Sequence, residues 1–223
     1  MINFIKTDNP GLGEIDIAKE LSNLLSENKK VLWILSGGSN IAIENTILRQ
    51  LDDNKTNNLR ILLGDERYGQ KGHKDSNETQ LLAAGFNPMK ADFVPILNEK
   101  SLEETTADFI KNLEESLEWA DISIGQFGIG EDGHTSGILP GSNAINSKDV
   151  AISYRTEEFT RITPTIKTLE RINIAYVFSF GKRKIIALNN LKDKKGVIEN
   201  NPCLVFYQIS SVYVYNDFIG EKI

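Results

Sequence analysis

The chain carries two histidines, His73 and His134, and the second sits in the run FGIGEDGHTSGILPGS at 127–142 among small residues. An imidazole with an ordinary pKa of about 6.5 is mostly neutral at pH 7 and can accept a proton, as a general base must. Asp132, two residues earlier, could orient it. A histidine in such a loop could also serve only to bond backbone carbonyls. Gly128, Gly130 and Gly133 formally spell GxGxxG, but Gly137, Pro140 and Gly141 interrupt before a helix could cover a sheet. A dinucleotide turn is therefore rejected, and the glycines suit a loop of close approach that presents Asp132 and His134 outward.

Two further segments have the chemistry of anion binding. In SGGSN (36–40), Gly37 and Gly38 let the backbone approach a ligand, and Ser39 precedes a helix whose free N–H groups and dipole suit a phosphate. The same pentapeptide could be a tight strand-to-helix turn with no ligand. GDERYGQKGHKDSN (64–77) concentrates acids, Arg67, His73 and a Ser-Asn pair without packing side chains. Arg67 offers a bidentate fork for phosphate or carboxylate, although a charged run can equally be a solvated loop.

These segments need elements to position them. The run 31–35 reads as a strand, ended by the glycine turn, and Ile43, Ile47 and Leu51 mark a helix over 40–51. Strands follow at 59–63, 122–127, 150–154 and 172–180. Helices are expected at 101–119 behind a Ser101/Glu104 capping box, at 164–170 with Thr163 as cap, and at 182–191. Strand character is shared between 203–209 and 212–215. The alternation predicts an α/β fold: three αβα layers, a mostly parallel, Rossmann-like open sheet with helices on both faces, in one domain over 1–223. In such sheets ligands bind beyond the carboxyl ends of the strands, where all three segments fall.

Composition narrows the function. Twenty-five Lys and Arg against 31 Asp and Glu give a net charge of −6, which argues against a nucleic-acid partner. Cys203 is the single cysteine, so no intrachain disulfide or zinc cluster is expected, and a reducing compartment fits. The opening MINFIKTDNPG lacks the apolar stretch of a secretory signal, and no run approaches the ~18 apolar residues of a membrane span. A cytoplasmic protein without membrane association is expected, and the sequons at Asn54 and Asn77 read as chance.

Taken together, SGGS (36–39), GDER and HKDSN (64–77), GIGEDGHTSGILPG (128–141), Arg161-Ile162-Thr163, and Gly181 followed three residues later by Lys184 resemble the motifs of the 6-phosphogluconolactonases. That family shares a superfamily with the glucosamine-6-phosphate deaminases. DGHTSGILPG is the most specific piece, since the deaminases are expected to carry a phenylalanine, asparagine, glutamate, proline run after the histidine. The resemblance implies hydrolysis of 6-phosphoglucono-δ-lactone to 6-phosphogluconate, a step of the oxidative pentose phosphate pathway, without cofactor or metal. It implies His134 as general base, with Asp132 orienting it. It implies Arg67 and Lys184 as phosphate or substrate anchors, Gly37, Gly38 and Ser39 as a phosphate cradle, and roles for Arg161 and His73 at motif positions. The partner is then a small phosphosugar lactone, and the chain a monomer or small homo-oligomer. No GxSxG elbow supports an acyl-enzyme route. Two positions depart from the family: GGSNIA lacks the usual proline, and Gly137 replaces a serine or alanine. The chain also ends soon after Asp217, short for the family. The rivals are a glucosamine-6-phosphate deaminase or isomerase on the same scaffold, which needs a further carboxylate, and a non-catalytic sugar-phosphate sensor, which needs a DNA-binding segment that has no room before residue 31.

Overall fold

A computed structural model describes residues 2–222. In chain order the elements are β1 (Ile2–Lys6), α1 (Gly11–Ser26), β2 (Val31–Leu35), α2 (Asn40–Leu48), β3 (Leu59–Leu63), β4 (Glu66–Arg67), α3 (Asn77–Ala83), β5 (Asp92–Val94) and α4 (Leu102–Trp119). They continue with β6 (Ile122–Gly128), β7 (Ala151–Arg155), β8 (Thr160–Pro164), α5 (Ile166–Leu169), β9 (Ile174–Ser179), α6 (Ile185–Lys192), β10 (Ser211–Asn216) and β11 (Glu221–Lys222). Eight strands form a sheet in the order β11-β1-β10-β9-β6-β2-β3-β5, every described pairing parallel. It is the central layer of a three-layer α/β fold.

The reason for this sheet is visible in β2. All five residues of VLWIL are buried, as a strand covered by helices on both faces requires. Its neighbours β3 and β6, and β9 beyond β6, bury Ile61, Leu62, Ile124, Phe127, Ala175 and Val177 in the same core. Because β9, β6, β2 and β3 lie side by side and run the same way, the segments that follow them meet along one edge. Among the described residues no helix is long and apolar enough to cross a membrane.

A second, antiparallel sheet, β4-β8-β7, stands apart from the first. It overturns two readings. The strand at 150–154 is real but does not join the parallel sheet. The helix expected at 164–170 shrinks to Ile166–Leu169, because Pro164 ends β8 opposite Ala151, where its missing N–H is tolerated at a strand end. Thr165, not Thr163, stands at the helix start, and the Thr163 hydroxyl instead donates to the Ser136 carbonyl.

The divided strand signal near the C-terminus resolves in favour of Ser211–Asn216, whereas Pro202–Tyr207 forms a 3-10 turn. The helix expected at 182–191 begins only at Ile185, after a 3-10 turn over Lys182–Lys184, and that at 40–51 ends at Leu48. The Ser101/Glu104 capping box is present, with the serine hydroxyl accepting from Glu104 N–H and the Glu104 carboxylate accepting from Ser101 N–H. The first two elements carried no assignment from sequence. β1 is only partly buried, and α1 packs Ile17, Leu21 and Leu25 inward.

Candidate active site

The segments after β2, β3, β6 and β9 surround a cavity of about 580 Å³. The size suits a small molecule. Gly37, Gly38, Ser39, Arg67, His134, Arg161 and Lys184 all line it. Asp132 stands behind His134, and His73 is not among the lining residues.

On the β2 side, the chain leaves the strand at Ser36 and turns through Gly38, whose φ of +66° is a left-handed conformation that glycine adopts without strain. Gly37 is required for space as well, since a Cβ there would lie 2.1 Å from Asn77 Oδ1. The turn ends at exposed Ser39, and the N-terminus of α2 begins at the next residue.

Arg67 and Arg161 face the cavity from the small sheet, where they are direct partners across β4 and β8. Both guanidinium groups sit over the Phe159 ring, at 4.7 and 5.8 Å from its centroid. Arg67 also donates to the Asp75 carbonyl at 3.0 Å, while Arg161 Nη1 lies 3.6 Å from Asp65 Oδ2. The Nε atoms of both arginines are buried and have no hydrogen-bond partner, so the pair retains unused donors. Two like charges are thus held side by side, with the Asp65 carboxyl facing Arg161.

Glu66 explains why the GDER segment has this shape. Its side chain is fully buried and accepts from Arg67 N–H, Ser76 Oγ, Asn77 N–H and Glu78 N–H, at 2.7 to 2.9 Å. One carboxyl group thus ties β4 to the start of α3, fixing Arg67 and Asn77 together. His73 serves the same loop: its Nε2 lies 2.9 Å from the Arg67 carbonyl oxygen, and its ring packs on Gly69.

The loop after β6 holds the histidine. Asp132 Oδ1 lies 2.6 Å from His134 Nδ1 and also accepts from His134 N–H at 3.1 Å. The hydrogen bond from His134 is the main cause that holds the Asp132 carboxyl down to a pKa of about 2. As a carboxylate it can only accept, so Nδ1 bears a proton, and in the neutral form of the ring the lone pair lies on Nε2. Gly130 gives the ring its room, because a Cβ there would lie 2.0 Å from Nδ1. Gly133 turns the chain at φ +85°, and its carbonyl accepts from Cys203 N–H at 2.9 Å, so the 3-10 turn at Pro202–Tyr207 braces the loop from behind. From the other side the Tyr154 hydroxyl donates to the Gly137 carbonyl at 2.5 Å.

Gly137, a departure noted in the sequence, has a local cause. Its φ is +71°, and a Cβ would lie 2.7 Å from Asp65. Asp65 itself lines the cavity, and sequence reasoning passed over it. Burial raises its pKa, while Arg161, His134 and Arg67 pull it back down. Asn77, another lining residue, was also missed, although it closes the DSN tripeptide quoted from the sequence; its amide donates to the Asp65 carbonyl at 2.9 Å.

A family model described as glucosamine-6-phosphate isomerases/6-phosphogluconolactonase matches residues 14–212. The chain belongs to this family. A 6-phosphogluconolactonase from Helicobacter pylori is 27% identical over 190 residues, 83% of this chain and 78% of that protein. Among solved structures, a 6-phosphogluconolactonase from Shewanella baltica superposes with a TM-score of 0.78 at 22% identity, covering 97% of both chains. A monomeric glucosamine-6-phosphate deaminase superposes almost as well, at 0.77 and 18% identity, again over 97% of both chains. The shared fold therefore does not separate the two activities within the family, and the residues of the cavity must.

Proposed function

We propose that this chain hydrolyses 6-phospho-D-glucono-1,5-lactone to 6-phosphogluconate. The observation that carries the reading is that His134, with Nδ1 tied to Asp132, faces the same cavity as the glycine turn, Arg67, Arg161 and Lys184. A base stands at one part of the cavity and an array of anion donors at the others. In the reaction, Nε2 of His134 takes a proton from water as the water oxygen attacks the lactone carbonyl. The tetrahedral intermediate then collapses with cleavage of the bond to the ring oxygen, which receives that proton from the imidazolium. Asp132 holds the tautomer and balances the transient charge. A δ-lactone is an activated ester, so one positioned base and binding of a remote phosphate suffice, with no covalent intermediate. Such a product and substrate belong to the oxidative pentose phosphate pathway.

Glu131 bears on the rival. It is the only carboxylate of the loop besides Asp132, and it is more than half exposed and lies 3.5 Å from Arg183 instead of lining the cavity. After His134 come Thr135, Ser136 and Gly137, and the Thr135 hydroxyl is spent on the Gly128 carbonyl. A second reading, deamination of glucosamine 6-phosphate, rests on Asp65, a buried carboxylate in the cavity that could handle a substrate proton. One experiment separates them. The lactone is generated in situ with glucose-6-phosphate dehydrogenase and acid release is followed above the spontaneous rate, while glucosamine 6-phosphate is tested for ammonia release. Acid without ammonia is expected; ammonia without acid would transfer the assignment to the deaminase.

A further inference from the structure

Under the glycine turn lies a buried polar cluster that the proposed chemistry does not use; two of its members, Ser36 and Asn40, reach the cavity wall, while Glu44 and Gln126 do not. Glu44, in the second turn of α2, is 0% exposed, and its Oε1 accepts from Ser36 N–H at 2.8 Å. Its Oε2 is buried with no hydrogen-bond partner. The Ser36 hydroxyl donates to the Gln126 carbonyl at 2.7 Å, and the Gln126 side-chain amide reaches Asn40 Oδ1 at 3.5 Å. Four polar side chains, each at most 6% exposed, thus join the end of β2, the start of α2 and β6 immediately under the turn.

A carboxyl group is a costly choice for this position. The other buried positions of α2 are Asn40, Ile41, Ile43, Asn45, Ile47 and Leu48, four of them apolar, and a leucine at 44 would extend that apolar surface without desolvating an acid. What the acid supplies and a leucine cannot is an acceptor for Ser36 N–H, the first amide past the strand.

We propose that Glu44 is a positioning residue for phosphate binding: by accepting the Ser36 N–H it fixes the backbone from Ser36 to Ser39 in the conformation that turns the following amides toward the cavity. This rests on the reading that the turn holds the substrate phosphate. Burial pushes the Glu44 pKa well above the usual carboxylate range, against the smaller opposing effect of the Ser36 hydrogen bond. Burial thus favours the protonated acid, whose carbonyl oxygen can accept the Ser36 N–H. In that protonated form it fixes the turn without placing a negative charge behind a bound anion, where a carboxylate would repel the ligand.

The test compares the wild-type chain with Glu44→Gln, Glu44→Leu and Glu44→Asp, measuring Kd for inorganic phosphate and for 6-phosphogluconate by calorimetry, and KM and kcat for the lactone. Glutamine keeps a neutral carbonyl at the same reach, so its values should stay within about twofold of wild type. Leucine removes the acceptor, and both Kd values and KM should rise roughly tenfold with kcat changed less than about threefold, the worth of one buried hydrogen bond. A residue that merely held the fold together would lower the folded fraction without moving Kd and KM of what remains folded. If Glu44→Leu does not fold, Glu44→Asp decides, because shortening the arm withdraws the acceptor and should raise KM and Kd in the same sense. A folded leucine or aspartate variant that binds like wild type overturns the proposal alone, and so does a glutamine variant as weak as leucine. Wild-type protein that binds neither phosphate nor 6-phosphogluconate overturns the underlying reading of the turn and this proposal with it.

Discussion

Asp132 Oδ1 and His134 Nδ1 stand 2.6 Å apart, within a loop whose glycines admit the ring and whose flanks are pinned by Cys203 N–H and the Tyr154 hydroxyl. The pair sets which ring nitrogen can act as a base. Replacing His134 with alanine should remove about 10²- to 10⁴-fold of lactone hydrolysis, the range of a general base, while phosphosugar binding persists. Full activity in that variant would take His134 out of the mechanism. Asp132→Asn can turn an amide N–H toward Nδ1 and so stabilise the wrong tautomer; kcat should fall by roughly 10- to 100-fold with KM little changed.

The arginine pair predicts a different kinetic signature. Arg67 and Arg161 are cross-strand neighbours with buried, unpartnered Nε atoms, and Lys184 lines the same cavity. Alanine at Arg67 or Lys184 should raise KM by about 10-fold or more and lower kcat less, because each would remove an interaction with a group remote from the reacting carbonyl. Lysine at Arg67 should not restore binding, since it lacks the fork that stacks on Phe159. An unchanged KM in both alanine variants would place the phosphate elsewhere.

Stability, not catalysis, is the expected readout at Glu66. Its removal by alanine would leave four buried or half-buried donors unmet, and urea unfolding should show a loss of about 2 to 5 kcal/mol. Glutamine can accept at only one of the two oxygens and should fall between. A loss in the alanine variant below about 0.5 kcal/mol, the ordinary range of surface changes, would mean that the loop re-forms without its hub.

Titration gives a further check at Glu44. The native acid keeps its proton well above the ordinary value of 4.5, while the unfolded chain releases it there. Folded protein then binds more protons than unfolded, so this group makes stability fall as pH rises above about 4.5, by up to about 1.4 kcal/mol per pH unit until its folded pKa is passed. Glu44→Gln lacks this loss. Its melting temperature should therefore gain on that of wild type from pH 5 to pH 8, and a constant difference across the range would mean that Glu44 ionises normally.

Asp132 has the opposite sign. Its folded pKa of about 2 lies below the ordinary 3.8, so its contribution is complete above about pH 4 and is lost as pH falls toward 2. Asp132→Asn should flatten the acid limb of the stability profile only. Because the side chain is nearly half exposed, solvent screening keeps this effect small.

The central strands were legible because burial on both faces writes a continuous apolar run, as in VLWIL, and because glycine-rich or charged segments follow directly. The same rule placed Gly37, Gly38, Ser39, Arg67 and His134 at one sheet edge, whereas Lys184 entered through the family resemblance. Elements that draw their stability from tertiary partners were not legible. β4 is two residues long and exists through Glu66 and its pairing with β8, and Pro164 reads as a helix start until β7 is seen beside it. The 3-10 turn at Pro202–Tyr207 has the composition of a strand, but Cys203 N–H goes to Gly133 in place of a ladder partner. His73 fell outside the cavity for a similar reason: its ring serves the Arg67 backbone, which spacing in sequence cannot reveal.

The small antiparallel ribbon has a bearing on how this scaffold can diversify. It carries Arg67 and Arg161 but shares no strand with the parallel sheet that ends in the Asp132 and His134 loop. In the proposed reaction, two of the cationic side chains that would grip the ligand thus sit on a different piece of architecture from the dyad that would attack its ester. Lengthening, shortening or recharging the ribbon can retune which sugar is accepted while the proton-transfer dyad stays where it is.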